Sequence, residues 1–347
     1  MWPASKKIRV LVVDDSAVAR TMISKSLSAC PRLEVVGVGF NARDAWEKVK
    51  ELKPDVMTLD VEMPGMNGID FLKELLPQYP LPVILVSSLS LQVFEALSTG
   101  AVDFVRKPEL GQNEAFIAAL TQRILEAAGA KVRQSAVPAP RVAPVSAPAP
   151  LGKPGMEQVI IGLGASTGGT EATLDILKRL PADVPGILIV QHMPVGFTQM
   201  YAERLNRLCQ MEVREARHGD EIHPGLALLA PADLQMRVVR TGRRYTVACT
   251  QDEKTSGHRP SVDVLFSSMA HQVQCKMVGI ILTGMGRDGA DGLLQMRKNG
   301  AFTIGQDRET SVVYGMPMVA YNVGAVQVQA PCENIAGILL RQLKQLS

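Results

Sequence analysis

The stretch Val159-Ile160-Ile161-Gly162-Leu163-Gly164-Ala165-Ser166-Thr167-Gly168-Gly169 decides how the second half of this chain folds. An apolar run ends there in a glycine-rich turn with a serine at its centre, and helix-forming sequence follows over residues 171–180. The residues from 164 to 168 fit the pattern Gly-x-Ser-x-Gly. That pattern places an exposed serine hydroxyl at the end of a strand, and the helix after it offers backbone N–H groups to an oxyanion. The stretch therefore predicts a strand, a sharp turn at Ser166 and a helix.

The same glycines also fit a dinucleotide-binding turn, and the next predicted strand tests that alternative. A dinucleotide site needs an acidic residue at the end of that strand to hold the ribose. The strand over residues 186–190 ends instead in Gln191-His192-Met193-Pro194, which supplies a histidine and no carboxylate. A serine after one strand and a histidine after the next favour acyl-transfer chemistry over nicotinamide binding.

Length and composition exclude several classes of protein. The chain has 347 residues, of which 46% are hydrophobic and 20% charged, as is typical of globular proteins with two or three domains. The net charge of +3 and the scattered basic residues predict no nucleic-acid partner. No apolar run is long enough to cross a bilayer and no signal peptide is evident, so we expect a cytoplasmic protein without membrane insertion. The five cysteines form no C-x-x-C pair, which predicts reduced thiols.

The region over residues 133–155 is rich in proline and alanine. Proline removes a backbone donor and fixes φ, so this composition predicts a semi-extended linker. A loop of this length inside one compact domain would be unusual. We therefore predict a first domain over residues 1–128, a linker over 129–156 and a second domain over 157–347.

The first domain alternates apolar strands with helical segments. Its strands are predicted over residues 8–13, 33–39, 55–59, 83–86 and 102–105, each followed by a helix. This alternation predicts an α/β fold with a doubly wound, five-stranded parallel sheet of flavodoxin-like type and helices on both faces. Ligands of such sheets bind at the carboxyl ends of the strands.

Acidic residues gather at that edge of the predicted sheet. Asp14 and Asp15 follow the first strand, Asp60 follows the third, and Lys107 follows the fifth. Three carboxylates repel one another unless a cation lies among them, and oxygen ligands suit Mg²⁺. A lysine and a hydroxyl nearby can hold a phosphoryl group once an aspartate accepts it. Over residues 8–127 this ordered set resembles the receiver domain of two-component response regulators.

The resemblance to receiver domains implies a phosphorylation site and a metal site. It implies that Asp60 is phosphorylated, and that Mg²⁺ is the cofactor of that reaction. The implied metal ligands are Asp14, Asp15, Asp60 and the backbone carbonyl of Glu62. The alternative is that these residues are ordinary solvated acids at strand ends.

The same resemblance implies a switch that responds to phosphorylation. Ser87 stands where a hydroxyl reports the phosphoryl group, Phe104 stands at the switch aromatic, and Lys107 would pair with phosphoryl oxygens. Phenylalanine replaces the tyrosine of many receivers, which preserves ring rotation but removes a hydroxyl. The bond between Lys107 and Pro108 is expected to be cis.

In the second domain, three predicted strands end in Ser166, His192 and Asp288. A serine nucleophile needs a neighbouring base, and that base needs an acid to fix its tautomer. The order serine, histidine, aspartate differs from that of α/β-hydrolases, so we expect another α/β fold with a mostly parallel sheet. Each residue has a plainer interpretation as a helix cap or turn residue, and His258 is a weaker candidate for the base.

Several motifs of the second domain together resemble the protein-glutamate methylesterase family of bacterial chemotaxis. They are Gly164-Ala165-Ser166-Thr167-Gly168-Gly169, Gln191-His192-Met193-Pro194, Arg259-Pro260-Ser261-Val262-Asp263, Thr283-Gly284-Met285-Gly286-Arg287-Asp288-Gly289 and Tyr314-Gly315-Met316-Pro317. The family arrangement of receiver, linker and catalytic domain covers essentially the whole chain. The resemblance implies a catalytic triad of Ser166, His192 and Asp288. Backbone N–H groups near Thr167 and Met285 are the expected oxyanion donors, and the esterase chemistry needs no cofactor.

The resemblance also implies what the protein acts on and what controls it. The implied substrates are glutamyl methyl esters on a chemoreceptor, with deamidation of receptor glutamines as a second reaction. A chemotaxis histidine kinase is the implied phosphodonor. We hypothesise that the unphosphorylated receiver covers the Ser166 cleft and that phosphorylation at Asp60 opens it. A phosphorelay adaptor without catalytic activity, or a regulator of a related signalling array, is the alternative.

Overall fold

The computed structural model describes residues 6–88, 92–108, 111–132, 150–152 and 159–346. The chain divides after residue 142 into two compact units, each of which is described here by itself. Most of the expected linker, residues 133–149 and 153–156, lies outside the described residues. The linker and the domain boundaries therefore stay predictions.

The first unit alternates five strands with five helices, as its sequence predicts. The strands are β1 (Ile8–Val13), β2 (Leu33–Gly39), β3 (Val56–Asp60), β4 (Val83–Ser87) and β5 (Asp103–Arg106). The helices are α1 (Ala17–Ser28), α2 (Ala42–Leu52), α3 (Gly68–Leu75), α4 (Gln92–Thr99) and α5 (Asn113–Ala127). Side chains of Ser16, Asn41 and Asn67 cap the first three helices by accepting from a backbone N–H in the first turn.

The sheet of the first unit is parallel, with strand order β2-β1-β3-β4-β5. Every residue of β3 and β4 is buried, as is expected for central strands covered by helices on both faces. Because β1 and β3 are neighbours, their carboxyl ends bring the Asp14–Asp15 pair beside Asp60. The predicted doubly wound fold is confirmed.

The second unit also begins with strand and helix in alternation. Its strands are β6 (Val159–Ala165), β7 (Gly186–Gln191), β8 (Glu212–Glu215), β9 (Leu226–Leu229), β10 (Gln235–Thr241), β11 (Arg244–Thr250), β12 (Lys276–Ile281), β13 (Phe302–Gln306) and β14 (Val328–Ala330). Its helices are α6 (Gly169–Leu177), α7 (Phe197–Leu208), α8 (Val262–Gln272), α9 (Ala290–Lys298), α10 (Met316–Asn322) and α11 (Cys332–Leu346).

Seven of these strands form one parallel sheet in the order β14-β13-β12-β6-β7-β9-β8. The chain builds outward from β6 in one direction and then resumes at β12 on its other side, so the strand order reverses between β6 and β12. Open α/β sheets bind ligands at such a reversal, outside the carboxyl ends of the strands. Strands β10 and β11 form a separate antiparallel pair, so the predicted mostly parallel fold is confirmed.

Close backbone approaches explain part of the glycine pattern at the carboxyl edge of β6. A Cβ placed on Gly164 would lie 2.2 Å from a methyl of Val262, and one on Gly289 would lie 2.5 Å from the same side chain. Helix α8 therefore begins with its first residue packed between the end of β6 and the loop after β12. Substitution of either glycine would push that helix away from the sheet edge.

The described ranges contain no helix that is both long enough and apolar enough to cross a bilayer.

Candidate functional site

His192 and Asp288 form a buried pair at the carboxyl edge of the second sheet. His192 follows β7 and Asp288 follows β12, yet the imidazole Nε2 lies 2.8 Å from Asp288 Oδ2. Both side chains are almost fully excluded from solvent. Strand β6 lies between β7 and β12 in the sheet, so the pair crosses over the end of the strand that leads to Ser166.

The Asp288 carboxylate is saturated with hydrogen-bond donors. Besides the imidazole, it accepts from Ser261 Oγ at 2.6 Å, from the Val262 N–H at 2.8 Å and from the Asp263 N–H at 3.0 Å. Burial alone would raise the pKa of Asp288, but the contacts with His192, Ser261 and Asp263 lower it to about 2. Asp288 is therefore an anion across the neutral pH range, and its orientation is fixed by helix α8.

Ser166 lies directly after β6, where the sequence places it, but its surroundings differ from the prediction. Only 3% of Ser166 is exposed, so the serine is not displayed on the surface. The positive φ of the turn belongs to Gly168, at 76°, while Ser166 is absent from the non-glycine residues with positive φ. The predicted exposure of the serine was wrong, because the loop after β12 covers Ser166. The predicted turn is present: it begins at Ser166, whose carbonyl accepts the Gly169 N–H at 2.7 Å.

The last pair of the β6–β7 ladder brings Ser166 and His192 to neighbouring strand ends. Ala165 pairs with Gln191, and the His192 N–H donates to the Ala165 carbonyl at 3.1 Å. Within the described part of the chain, no hydrogen bond joins the Ser166 hydroxyl to the imidazole, and buried Nδ1 of His192 has no partner. Because Nε2 is engaged by Asp288, Nδ1 is the ring atom that remains to accept a proton.

Residues of the loop after β12 fix the Ser166 backbone. The Ser166 N–H donates to the Thr283 carbonyl at 3.0 Å, and Thr283 Oγ1 donates to the Thr167 carbonyl at 3.0 Å. A Cβ on Gly284 would lie 2.7 Å from Ser166 Cβ, so the two loops touch at this point. The N–H of Met285 has no acceptor among the described residues. That the N–H groups of Thr167 and Met285 bind the oxyanion stays a prediction.

His258 contacts the candidate base directly. Its ring stacks on that of His192 with centroids 3.9 Å apart and ring planes within 7°. The sequence marked His258 only as a weaker base, because nothing in its spacing shows that the loop before α8 returns to β7. Ser261 was likewise missed as a partner of Asp288, although it lies in one of the motifs that carry the family resemblance.

The acidic cluster of the first unit is assembled as the sequence predicts. Carboxylate oxygens of Asp14, Asp15 and Asp60 lie within 4.8 Å of one another. Lys107 Nζ lies 2.6 Å from Asp60 Oδ2 and 3.6 Å from Asp14 Oδ2. The Glu62 N–H donates to the other Asp60 oxygen at 3.0 Å.

The carboxylates of this cluster are crowded and incompletely satisfied. Burial raises the pKa of Asp60 and Asp14 adds to the rise, against the opposing effect of Lys107. Burial would lower the pKa of Lys107, but its contacts with Asp60 and Asp14 raise it instead. Asp14 Oδ2 is buried without a hydrogen-bond partner. Three carboxylates, one of them with a buried oxygen that accepts no hydrogen bond, fit Mg²⁺, so the residues match the expected metal.

Two residues expected to form the switch are buried beside this cluster. The Ser87 hydroxyl is buried without a hydrogen-bond partner. The Phe104 ring is buried and packs edge-on against Phe94, with centroids 6.4 Å apart. Among the described residues the one cis peptide bond precedes Pro260, so the expected cis bond between Lys107 and Pro108 was wrong. The ordinary trans form is the lower in free energy, and Lys107 contacts Asp60 with the bond in that form.

One parallel sheet carries an acidic cluster suited to accept a phosphoryl group. The other carries a serine, a histidine and an aspartate at the same edge. Together they define a response regulator joined to a hydrolase-like α/β domain. Residues 10–121 match the family model described as response regulator receiver domain, and residues 161–339 match the model described as CheB methylesterase. This chain belongs to the CheB methylesterase family.

Curated relatives match this chain over nearly its whole length. The chain is 49% identical to a protein of Syntrophomonas wolfei named protein-glutamate methylesterase/protein-glutamine glutaminase 2, over 98% of this chain and 99% of that protein. A Pseudomonas aeruginosa protein of the same name is 46% identical over 96% of this chain and 97% of its own. The crystal structure of the Thermotoga maritima CheB methylesterase catalytic domain matches with a TM-score of 0.52 and 34% identity. That match covers 53% of this chain and 97% of the other.

Proposed function

We propose that this protein is a phosphorylation-regulated protein-glutamate methylesterase that hydrolyses glutamyl methyl esters on a chemoreceptor. The observation that carries the proposal is the buried contact of His192 Nε2 with Asp288 beside Ser166, at the point where the strand order reverses. The substrate class is supported by the names of the relatives that match over the whole chain. Those names support glutamine deamidation as a second reaction of the same site.

The reaction begins at Ser166. Its Oγ attacks the ester carbonyl carbon while its proton moves to His192 Nδ1, the ring nitrogen that Asp288 leaves available. Asp288 stays ionised and stabilises the imidazolium. The Ser166 hydroxyl and His192 Nδ1 form no hydrogen bond in the described structure, so their contact must tighten in the enzyme–substrate complex, as catalytic contacts often do.

Collapse of the tetrahedral intermediate breaks the bond to the methoxy oxygen, which takes the proton from Nδ1 and leaves as methanol. Water then attacks the acyl-enzyme carbonyl and gives a proton to Nδ1. The second intermediate releases the glutamic acid side chain, which loses its remaining proton to solvent, and the proton on Nδ1 returns to Ser166. Backbone N–H groups of Thr167 and Met285 would stabilise the oxyanion in both steps. With these donors the proposed reaction needs no metal or organic cofactor.

The acidic cluster supports regulation by phosphorylation at Asp60. Asp14, Asp15, Asp60 and the Glu62 carbonyl would hold Mg²⁺, which supplies the positive charge that offsets the carboxylates and the phosphoryl oxygens. Lys107 would pair with the phosphoryl group, and Ser87 and Phe104 would respond to it. A histidine kinase of the signalling array would donate the phosphoryl group.

Methanol release from methylated receptor membranes tests the proposed function. The full chain should release methanol, and Ser166→Ala should lower kcat about 10⁴-fold or more, because the nucleophile is lost. A small-molecule phosphodonor with Mg²⁺ should raise the rate of the unchanged chain and leave that of Asp60→Asn unaltered. No methanol above the Ser166→Ala level would instead support an adaptor without catalytic activity.

A further inference from the structure

Gln191 is a buried polar residue that the reaction above does not use. It is the last residue of β7 and only 2% exposed. Its Nε2 donates to the Ser166 carbonyl at 2.8 Å and to the His192 carbonyl at 3.2 Å. One carboxamide therefore joins the two backbone segments that carry the proposed nucleophile and the proposed base.

The orientation of the Gln191 carboxamide follows from its surroundings. Two carbonyl oxygens lie on the Nε2 side, and an amide oxygen turned toward them would face two acceptors without a donor. In the observed orientation Oε1 is buried with no hydrogen-bond partner. An orphaned buried acceptor is unfavourable, so an apolar side chain would be the simpler way to fill this space.

The Gln191 carboxamide is also held in place sterically. A Cβ on Gly169, the first residue of α6, would lie 2.4 Å from Gln191 Oε1. The absence of a side chain at position 169 therefore makes room for the amide. Gly169 also donates its N–H to the Ser166 carbonyl at 2.7 Å, the same oxygen that Gln191 binds.

Gln191 acts where the strand ladder stops. The last ladder bond runs from the His192 N–H to the Ala165 carbonyl. Beyond it the chain turns through Gly168 on one side and enters Met193-Pro194 on the other, so no further main-chain bond joins the two segments. The side chain of Gln191 extends the connection by one residue in each strand.

We propose that Gln191 is a positioning residue for the hydrolysis, which fixes the spacing between Ser166 and His192 through its two hydrogen bonds. The proposal rests on the proposed function of Ser166 and His192. Misplacement of reacting groups by about 1 Å can lower a rate about 100-fold. Gln191 touches neither the substrate nor the transferred proton, so its loss should alter kcat rather than substrate binding.

Gln191→Met keeps a similar side-chain length and removes both hydrogen bonds. We expect kcat for methanol release to fall about 30-fold, with KM unchanged within about twofold. The rate at which a fluorophosphonate labels Ser166 should fall by a similar factor. Gln191→Asn retains the amide but is one methylene shorter, so it should not restore the rate.

Gly169→Ala crowds the same contact from the other side, because its added methyl would lie 2.4 Å from Gln191 Oε1 and 2.6 Å from the Cβ of Ala165. It should lower kcat by at least a similar factor, and the double variant with Gln191→Met should be little worse than Gly169→Ala alone, because the amide contact is already displaced. Thr303→Val is the matched control. It removes a fully buried hydroxyl that accepts from the Gln327 N–H at 3.0 Å in β13, two strands away from β6, so it should lower the melting temperature and leave kcat unchanged.

Three outcomes would overturn the positioning role. They are an unchanged kcat in Gln191→Met, an equal loss in Thr303→Val, or additive effects of Gln191→Met and Gly169→Ala. Failure of the proposed function looks different, because the unchanged chain would then release no methanol. If Ser166 is labelled in that case, the labelling rates alone decide the role of Gln191. If Ser166 is not labelled, both proposals fail.

Discussion

The two sheets of this protein use the same edge for opposite electrostatic purposes. The first gathers three aspartates at the carboxyl ends of neighbouring parallel strands, and the second places one aspartate there beside a histidine and a serine. Asp288 of the second unit is fully satisfied by donors, and its pKa falls to about 2. Asp60 of the first unit has a raised pKa, and its neighbour Asp14 has a buried oxygen with no hydrogen-bond partner. A saturated carboxylate can hold an imidazole, whereas a crowded set is suited to a cation and a phosphoryl group.

The largest effect that this difference between the two acidic edges predicts is on the rate of catalysis. Asp288→Asn should lower kcat for methanol release by about 10⁴-fold, because the amide does not stabilise the imidazolium and favours the wrong tautomer. Asp14→Asn should leave the unphosphorylated rate unchanged within about twofold. Steady-state methanol release by both variants without phosphodonor measures the difference, and a similar loss in both would contradict it.

The contrast also predicts stability changes of opposite sign. Asp288→Asn should lower the free energy of unfolding of the second unit by about 3 kcal/mol, because an amide nitrogen then faces N–H donors in a buried site. Without Mg²⁺, Asp14→Asn should raise that of the first unit by about 1 kcal/mol by relieving repulsion.

Urea titrations can separate the two units. Trp2 and Trp46 both precede residue 142, so tryptophan fluorescence reports the first unit. Far-UV circular dichroism also reports the second. Equal shifts of the same sign in both variants would show that the two acidic edges do not differ.

The pH dependence of stability tests the same comparison at Asp288. Its pKa falls from 3.8 in the unfolded chain to about 2 in the folded one, so its stabilisation is complete above about pH 4. It is lost as the pH falls toward 2, and the shift corresponds to about 2 kcal/mol. The stability difference between the unchanged chain and Asp288→Asn should narrow by that amount between pH 5 and about pH 2. A constant difference would rule out an ionised Asp288 as its origin.

The smallest predicted effect concerns the ring stacked on His192. His258→Ala removes the flat surface that restrains the imidazole and should lower kcat about tenfold. His258→Phe keeps a stacking ring and should retain the rate within about threefold. Steady-state rates at saturating substrate measure both variants. Equal rates for His258→Ala and the unchanged chain would show that the stack does not restrain His192.

Sequence patterns predict the folds of both units. Apolar strands alternate with helices in the first unit, and apolar strands followed by helices occur again in the second. The acidic cluster is also predictable, since Asp14, Asp15 and Asp60 each follow a strand directly. The elements after residue 300, among them β13, β14, α10 and α11, were not predicted. Short strands and helices there depend on the sheet they join rather than on a strong pattern of their own.

The partners of the proposed triad were the least predictable part of the site. Gln191, His258 and Ser261 act through tertiary contacts between loops far apart in sequence. The burial of Ser166 likewise depends on the loop after β12, which the Gly-x-Ser-x-Gly pattern does not contain. Strand ends predict which residues meet, but the side chains that orient them follow from packing.

The most direct test of the central claim is to map the residue that a fluorophosphonate modifies in the full-length protein. Peptide mass spectrometry should find a single adduct on Ser166, formed much more slowly in His192→Ala and absent in Ser166→Ala. An adduct on another residue, or labelling of Ser166 at an unchanged rate in His192→Ala, would contradict the account.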